Sequence, residues 1–395
     1  MRIAQIGFYR DPADRTPEEL LEAWPTLVDV AESVATAGAQ VSVIQSSGHS
    51  RYVRRNGVDY HFLPLASGRW QGSSREAFAQ MIAEIAPQVL HVHGLGFPTE
   101  VLLMAETVPG VPILLQDHAS RPPRWWRRAA WRRCGHAVAG VAFCSRQQAR
   151  PFIEAGVLER ATAVYEIPES TSRFQPGDVA AARAEERVSG QPLLLWVGHL
   201  DANKDPLTVL EGIAQAAREL PGLELWCCFA KAPLLRDVQR RIRSDPLLRS
   251  RTHLLGRVSH TRIEQLMRAA DAFVSGSHRE GSGYALIEAL ACGLPPIVTG
   301  IPSFRTLTGA GAVGHLWQPG DPDSLCSALL AMARETAREA GATSRAAVRA
   351  HFEQELSLEA LGRKLVAAYL DMLARQGSAP ATQRAERNAA ALRRA

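Results

Sequence analysis

What this 395-residue chain lacks narrows its function before any motif is considered. No apolar run reaches the roughly 18 residues that a membrane-spanning helix requires, so no such span is expected. The opening residues MRIAQIGFYR run straight into a strand without a signal-peptide pattern, and a cytoplasmic location follows as an expectation. Cysteine is sparse: Cys134, Cys144, Cys227, Cys228, Cys292 and Cys326 show neither metal-ligand spacing nor a disulfide framework, so reduced and mostly buried thiols are expected. The first β-α turn, after Gly7, has no G-x-G-x-x-G, which counts against an NAD-dependent oxidoreductase. No recognisable nucleic-acid module surrounds the basic runs, and no nucleic-acid partner is expected.

What the chain does contain is ordinary in amount and ordered in arrangement. Hydrophobic residues make up 46%, and the formal net charge is +5, a balance that favours anionic ligands or surfaces. The length exceeds one typical core and suits two domains. Strands and helices alternate throughout: Ile3–Phe8, a helix over about 19–37, Val41–Gln45, a strand near Tyr60–Leu63, a helix over about 74–86, then VLHVHGL and Ile113–Leu115. A helix over 179–188 and the turn-rich Ser189–Pro192 suggest a linker. After it the rhythm resumes with the wholly apolar Leu193–Val197, as in a parallel sheet covered on both faces. The last helix is expected over about 355–373, and the alanine- and arginine-rich tail 376–395 is expected to be disordered.

The most informative stretch is HREGSGYALIEALACGLPPIV, residues 278–298. A glycine-rich turn (Gly281, Ser282, Gly283) opens a helix that starts at Tyr284 and stops at Cys292-Gly293. First-turn amides have no acceptor within their own helix and carry the positive end of its dipole, so this is an anion cradle. Two carboxylates, Glu280 in the loop and Glu288 in the helix, would repel a phosphate and suit hydroxyl groups instead. A ligand with phosphates in its middle and sugars at both ends satisfies both requirements.

Two glutamates separated by seven residues, with E-G-S-G before and E-A-L-A-C-G-L-P after, resemble the retaining glycosyltransferases of family 4 (glycosyl transferases group 1). The resemblance implies an α/β chain of the GT-B class, with two Rossmann-like doubly wound domains facing an interdomain cleft. Residues 1–186 would form the acceptor-side domain and 187–375 the nucleotide-sugar domain, with the last helix crossing back to the first. It also implies transfer of a sugar from a nucleotide-diphosphate sugar to an acceptor hydroxyl, with retention and without a metal, and an Asp-x-Asp metal motif is neither needed nor expected in the chain. The acceptor could be a glycan, a lipid-linked molecule or a small molecule. A GT-B relative that isomerises or only binds nucleotide sugars is the alternative.

Residue roles follow the same resemblance. Glu280, His118 and Lys204 are the catalytic candidates, His118 sitting in QDHAS at a strand end. Gly198, His199, Ser282, Gly283, Tyr284, Glu288 and Val258 are the donor-binding candidates. Relatives usually read G-R-L with a lysine five residues past the arginine; here GHLDANK supplies Lys204 but puts His199 in place of the arginine. Histidine is mostly neutral at pH 7 and offers one donor, so more of the diphosphate falls to Lys204 and the helix amides. Two departures accompany this: Pro168-Glu169-Ser170-Thr171 stands where Asn-Gly-Val-Asp is usual, and the first loop has Gly7 alone where a pair of glycines is usual.

One segment fits no part of this scheme. RPPRWWRRAAWRRC (121–134) alternates arginine with Trp125, Trp126 and Trp131. It reads either as a surface helix whose tryptophans pack inward, or as a site for peripheral membrane contact or an anionic acceptor.

Overall fold

The structure, a computed structural model, describes residues 1–64, 73–119, 121–336 and 344–378. The chain divides into two compact units, one comprising Met1–Thr171 with the chain from Leu358 onward, the other Ser172–Ser357. The division lies earlier than the break expected after residue 186. The helix Val179–Glu186 accordingly packs within the second unit, where Arg183 Nη2 meets Asp271 at 2.8 Å.

The first unit holds an eight-stranded sheet of β1 (Arg2–Gly7), β2 (Gln40–Ser47), β3 (Arg51–Arg55), β4 (Val58–Pro64), β5 (Val89–His93), β6 (Ile113–Gln116), β7 (Gly140–Phe143) and β8 (Ala163–Glu166). The order is β3-β4-β2-β1-β5-β6-β7-β8, parallel except at β3–β4. That antiparallel pair is a hairpin closed by Asn56-Gly57, both at positive φ (48° and 79°), the geometry that makes Asn-Gly the favoured two-residue turn. The single helix expected over 19–37 is two, Pro17–Ala23 and Pro25–Thr36. Pro25 has no amide to continue the first helix and opens the second. The closing helix, Leu358–Ser378, buries Leu361, Leu365, Ala368, Tyr369 and Met372 in the core that also holds Val28 and Val34. That spacing is one helical face, and each fully buried leucine contributes about 2 kcal/mol. The helix takes in residues 376–378; the rest of the expected tail lies outside the described residues.

The second unit is a six-stranded, wholly parallel sheet: β9 (Leu193–Val197), β10 (Glu224–Cys228), β11 (Thr252–Gly256), β12 (Ala272–Ser275), β13 (Pro296–Thr299) and β14 (His315–Trp317). Its order, β11-β10-β9-β12-β13-β14, reverses direction between β9 and β12. At such a switch point the loops leaving the two central strands part to opposite faces and leave a crevice outside their carboxyl ends. The loop after β9 carries Gly198–Asp205, and that after β12 carries Gly276–Gly283. Topology therefore brings the two stretches singled out in the sequence to one place.

Candidate functional site

In the second unit the two loops are fastened along their length. Asp201 Oδ1 accepts from the amides of Asn203 (3.0 Å) and Lys204 (2.9 Å), which turns the first loop back on itself. Asn203 Nδ2 then donates to the Arg279 carbonyl (2.9 Å), while the His278 amide donates to the Asn203 carbonyl (2.8 Å). His278 Nε2 lies 2.9 Å from Asp205 Oδ2. Gly276 permits this approach, since a Cβ there would lie 2.9 Å from the Lys204 carbonyl oxygen and 2.8 Å from Val209. The outcome is an ion pair between Lys204 Nζ and Glu280 Oε1, with side chains 23% and 13% exposed. Gly198 lies against the same lysine, its Cβ direction ending 3.7 Å from Lys204 Cδ.

Gly283 caps the helix Tyr284–Ala291 at φ 83°, and an added Cβ would sit 2.5 Å from Phe304 Cε1, so the turn needs glycine twice over. Ser282 is buried and Tyr284 is 38% exposed at the helix mouth. Further along the helix, Glu288 Oε1 is 2.6 Å from His260 Nε2, and this hydrogen bond raises the His260 pKa against the opposing effect of burial. His260 begins the helix His260–Ala269, capped by Ser259 Oγ, which accepts from the Arg262 amide at 3.2 Å. Val258, between Gly256 (φ 70°) and that cap, therefore sits at the turn leading to the helix that reaches Glu288. His199 Nδ1 accepts from the Lys231 amide at 3.3 Å, an arrangement that leaves Nε2 as the protonated nitrogen.

In the first unit, His118 follows β6 and its Nδ1 is 2.7 Å from Glu169 Oε2, with side chains 30% and 8% exposed. Its Nε2 faces His93 Nδ1 at 3.3 Å, and the His93 ring stacks toward His91 at 4.5 Å between centroids. The two β5 histidines share a face, as their i, i+2 spacing requires. His91 Nδ1 is held by Tyr369 Oη at 2.7 Å. Burial pushes the His91 pKa down to about 3 and that of His93 well below its ordinary value, so both are neutral. Gln116 Nε2 donates to the Pro168 carbonyl (3.0 Å) and so positions the segment bearing Glu169.

Two residues escaped the sequence reading. Glu169 appeared only as a departure from a usual motif, yet it is the carboxylate that orients His118. Lys231 follows β10 beside His199, and its signal was rarity: the chain has three lysines, Lys204, Lys231 and Lys364, and two of them fall in adjacent strand-end loops. An Asp-x-Asp does occur, at Asp321-Pro322-Asp323, but Asp321 Oδ1 accepts from the amides of Asp323 (3.0 Å) and Ser324 (3.1 Å) and so caps the helix Pro322–Thr336. A G-x-G-x-x-G also occurs at 309–314, but between the helix Pro302–Leu307 and β14, the reverse of the strand-to-helix context that binds dinucleotides. None of the six cysteines is in a disulfide, and all but Cys326 are buried. Among the described residues no cluster of three or more potential metal ligands occurs.

A wholly parallel sheet with a phosphate-suited helix start at its switch point, in a chain that carries a second Rossmann-like unit, defines a nucleotide-binding α/β protein of the GT-B class. The family profile described as Glycosyl transferases group 1 matches residues 179–346, and Glycosyltransferase Family 4 matches 25–166. The chain belongs to this family of glycosyltransferases. It is 24% identical over 262 residues to a GDP-mannose:cellobiosyl-diphosphopolyprenol alpha-mannosyltransferase of Xanthomonas oryzae pv. oryzae, covering 64% of this chain and 67% of that one. It is 30% identical over 239 residues to a D-inositol 3-phosphate glycosyltransferase of Geodermatophilus obscurus, covering 58% and 51%. Among solved structures, Anabaena Alr3699/HepE in complex with UDP superposes with a TM-score of 0.68 at 17% identity over 94% of this chain and all of that one. Sucrose-phosphate synthase from Thermosynechococcus elongatus gives 0.67 at 18% over 95% and 99%. At those identities the likeness is one of fold.

Proposed function

We propose that the chain transfers a sugar from a nucleoside-diphosphate sugar to an acceptor hydroxyl, with retention of anomeric configuration and without a metal ion. The observation that carries this is the meeting of Lys204 with Glu280 where the loops after β9 and β12 converge, beside the helix start at Gly283. When the bond between the anomeric carbon and the leaving oxygen breaks, negative charge develops on the diphosphate. Lys204, the amides of Ser282, Gly283 and Tyr284, and the Nε2–H of His199 are the groups that would stabilise it, without proton bookkeeping on a metal. Glu280 would orient the sugar hydroxyls and hold Lys204 in line. Glu288 would accept from the ribose, and the backbone near Val258 would contact the nucleobase.

On the other unit, His118, oriented by Glu169, is the group suited to hydrogen-bond a sugar or acceptor hydroxyl, and the leaving phosphate oxygen would take the acceptor proton. The named relatives use GDP-mannose and a polyprenyl-linked acceptor in one case and inositol 3-phosphate in the other. A glycan, a lipid-linked molecule or a small polyol therefore all stand as acceptor classes. Six cysteines, five of them buried and none in a disulfide, suit the reducing cytoplasm.

Calorimetric titration with UDP-, GDP-, ADP- and dTDP-sugars tests the assignment, followed by NMR of products formed with EDTA present. Saturable binding of one nucleotide sugar and a product of the donor's anomeric configuration are expected. Binding of none overturns the donor site, an inverted product overturns retention, and turnover abolished by EDTA overturns metal independence. A product that is only an isomer of the donor identifies an isomerase instead.

A further inference from the structure

From Arg121 to Ile153 the chain carries eight arginines and no aspartate or glutamate, against a net charge of +5 for the whole. The three tryptophans of this stretch divide in the structure. Trp131 is 9% exposed and belongs to the core, its ring parallel to that of Phe152 at 6.3 Å. Gly135 approaches so closely that an added Cβ would lie 2.3 Å from the Val157 carbonyl oxygen, and Arg132 Nε donates to the Gly156 carbonyl at 3.1 Å. These contacts fix the helix Arg128–Ala137 to the body of the unit.

Trp125 and Trp126, in the single 3-10 turn that precedes this helix, do the opposite. They are 76% and 55% exposed, and their rings meet edge to face at 5.7 Å. The Arg124 guanidinium lies over the Trp126 ring at 5.3 Å. No carboxylate pairs with Arg121, Arg124 or Arg127 among the described residues. Large exposed rings cost solvation free energy, and cations left without counter-charges repel one another. Both penalties are relieved by the same environment.

We propose that this surface docks on an anionic lipid bilayer, the arginines meeting headgroup phosphates and the indole pair entering the interface. Indoles are amphipathic and settle at that depth, and basic side chains near an anionic surface add electrostatic attraction. A protein partner fits less well. A specific protein interface buries about 800 Å² per partner around an apolar core, and two rings bordered by arginines do not supply one. A second copy of this chain would bring the same uncompensated charge. The proposal does not depend on which sugar or acceptor the chain uses.

The test is sedimentation of the full chain with phosphatidylglycerol–phosphatidylcholine vesicles and with phosphatidylcholine alone, for the wild type, Trp125→Ser/Trp126→Ser and Arg124→Glu/Arg127→Glu. Binding to the anionic vesicles that falls at least about tenfold in both variants, with unchanged thermal melting, is the expected result. Quenching of wild-type tryptophan fluorescence by brominated acyl chains is expected as well, and needs no variant. No sedimentation with any vesicle, or equal sedimentation of the tryptophan variant, overturns the proposal. So does tryptophan-dependent self-association or nucleic-acid binding with no lipid binding.

Discussion

The two Rossmann-like units place opposite kinds of chemistry at the carboxyl ends of their strands. In the second unit the loops after β9 and β12 carry the ion pair of Lys204 with Glu280 and set His278 against Asp205, on backbones drawn together through Gly276. In the first, the ends of β5 and β6 present rings that burial keeps neutral, His91 and His93, with the Glu169–His118 pair at the margin. A charged diphosphate needs cations and amides already in position, because reorganising them during bond breaking would cost more than they contribute. A neutral hydroxyl needs directional hydrogen bonds, which neutral imidazoles and amides supply without attracting anions. On the proposed reaction, the difference between the units would be a division between holding the leaving group and orienting the hydroxyls.

Removing the cation from the second unit is the strongest way to break this comparison. Lys204→Ala should lower kcat by about a hundredfold or more, since the lost interaction strengthens as charge develops, while the KM for the donor changes far less. Steady-state kinetics over donor concentration reads both. A variant that raises KM alone would mean that Lys204 contributes only ground-state binding, and the asymmetry between the units would lose its mechanistic content.

In the first unit the corresponding change is smaller, because Glu169 acts through His118. Glu169→Gln keeps a hydrogen-bonding side chain next to Nδ1 but removes the charge that favours one ring orientation. A fall of roughly tenfold in kcat is expected, with the melting temperature held within a few degrees. His118→Ala combined with Glu169→Gln should be no worse than His118→Ala alone. Additive losses in that double-mutant cycle would show that the carboxylate acts independently of the histidine.

How much of this was readable beforehand differs between the units for a physical reason. The second unit's site is built from local signals: a glycine turn, a helix start and a helix stop all lie within residues 278–298, and β9 announces itself as LLLWV. The strand order that joins it to Lys204 follows from the parallel α/β rhythm. The first unit's site is assembled from pieces distant in sequence: His91 meets Tyr369 across 278 residues, and Glu169 reaches His118 from the far side of β7 and β8. No spacing rule encodes such contacts. Within the local elements the misses were turn chemistry, Pro25 dividing one helix into two and Asn56-Gly57 creating β3. The arginine-tryptophan segment was legible in composition but not in burial, since only packing separates Trp131 from Trp125 and Trp126.

The finest distinction concerns Glu288, proposed above as an acceptor for ribose hydroxyls and bonded to His260 at 2.6 Å. The carboxylate raises the histidine's pKa by stabilising the imidazolium, so the paired, charged form grows as pH falls through that raised value and is lost above it. A charged His260 holds the Glu288 lone pairs more tightly and leaves less for the ribose. The donor KM should therefore rise on the acid side, by about two- to threefold for one weakened hydrogen bond whose partner stays solvated. His260→Ala should remove the rise and leave kcat at neutral pH nearly unchanged, read from KM measured between pH 5 and 8. If the variant keeps the acid-side rise, some other group titrates there and Glu288 does not contact the ribose through the oxygen that His260 occupies.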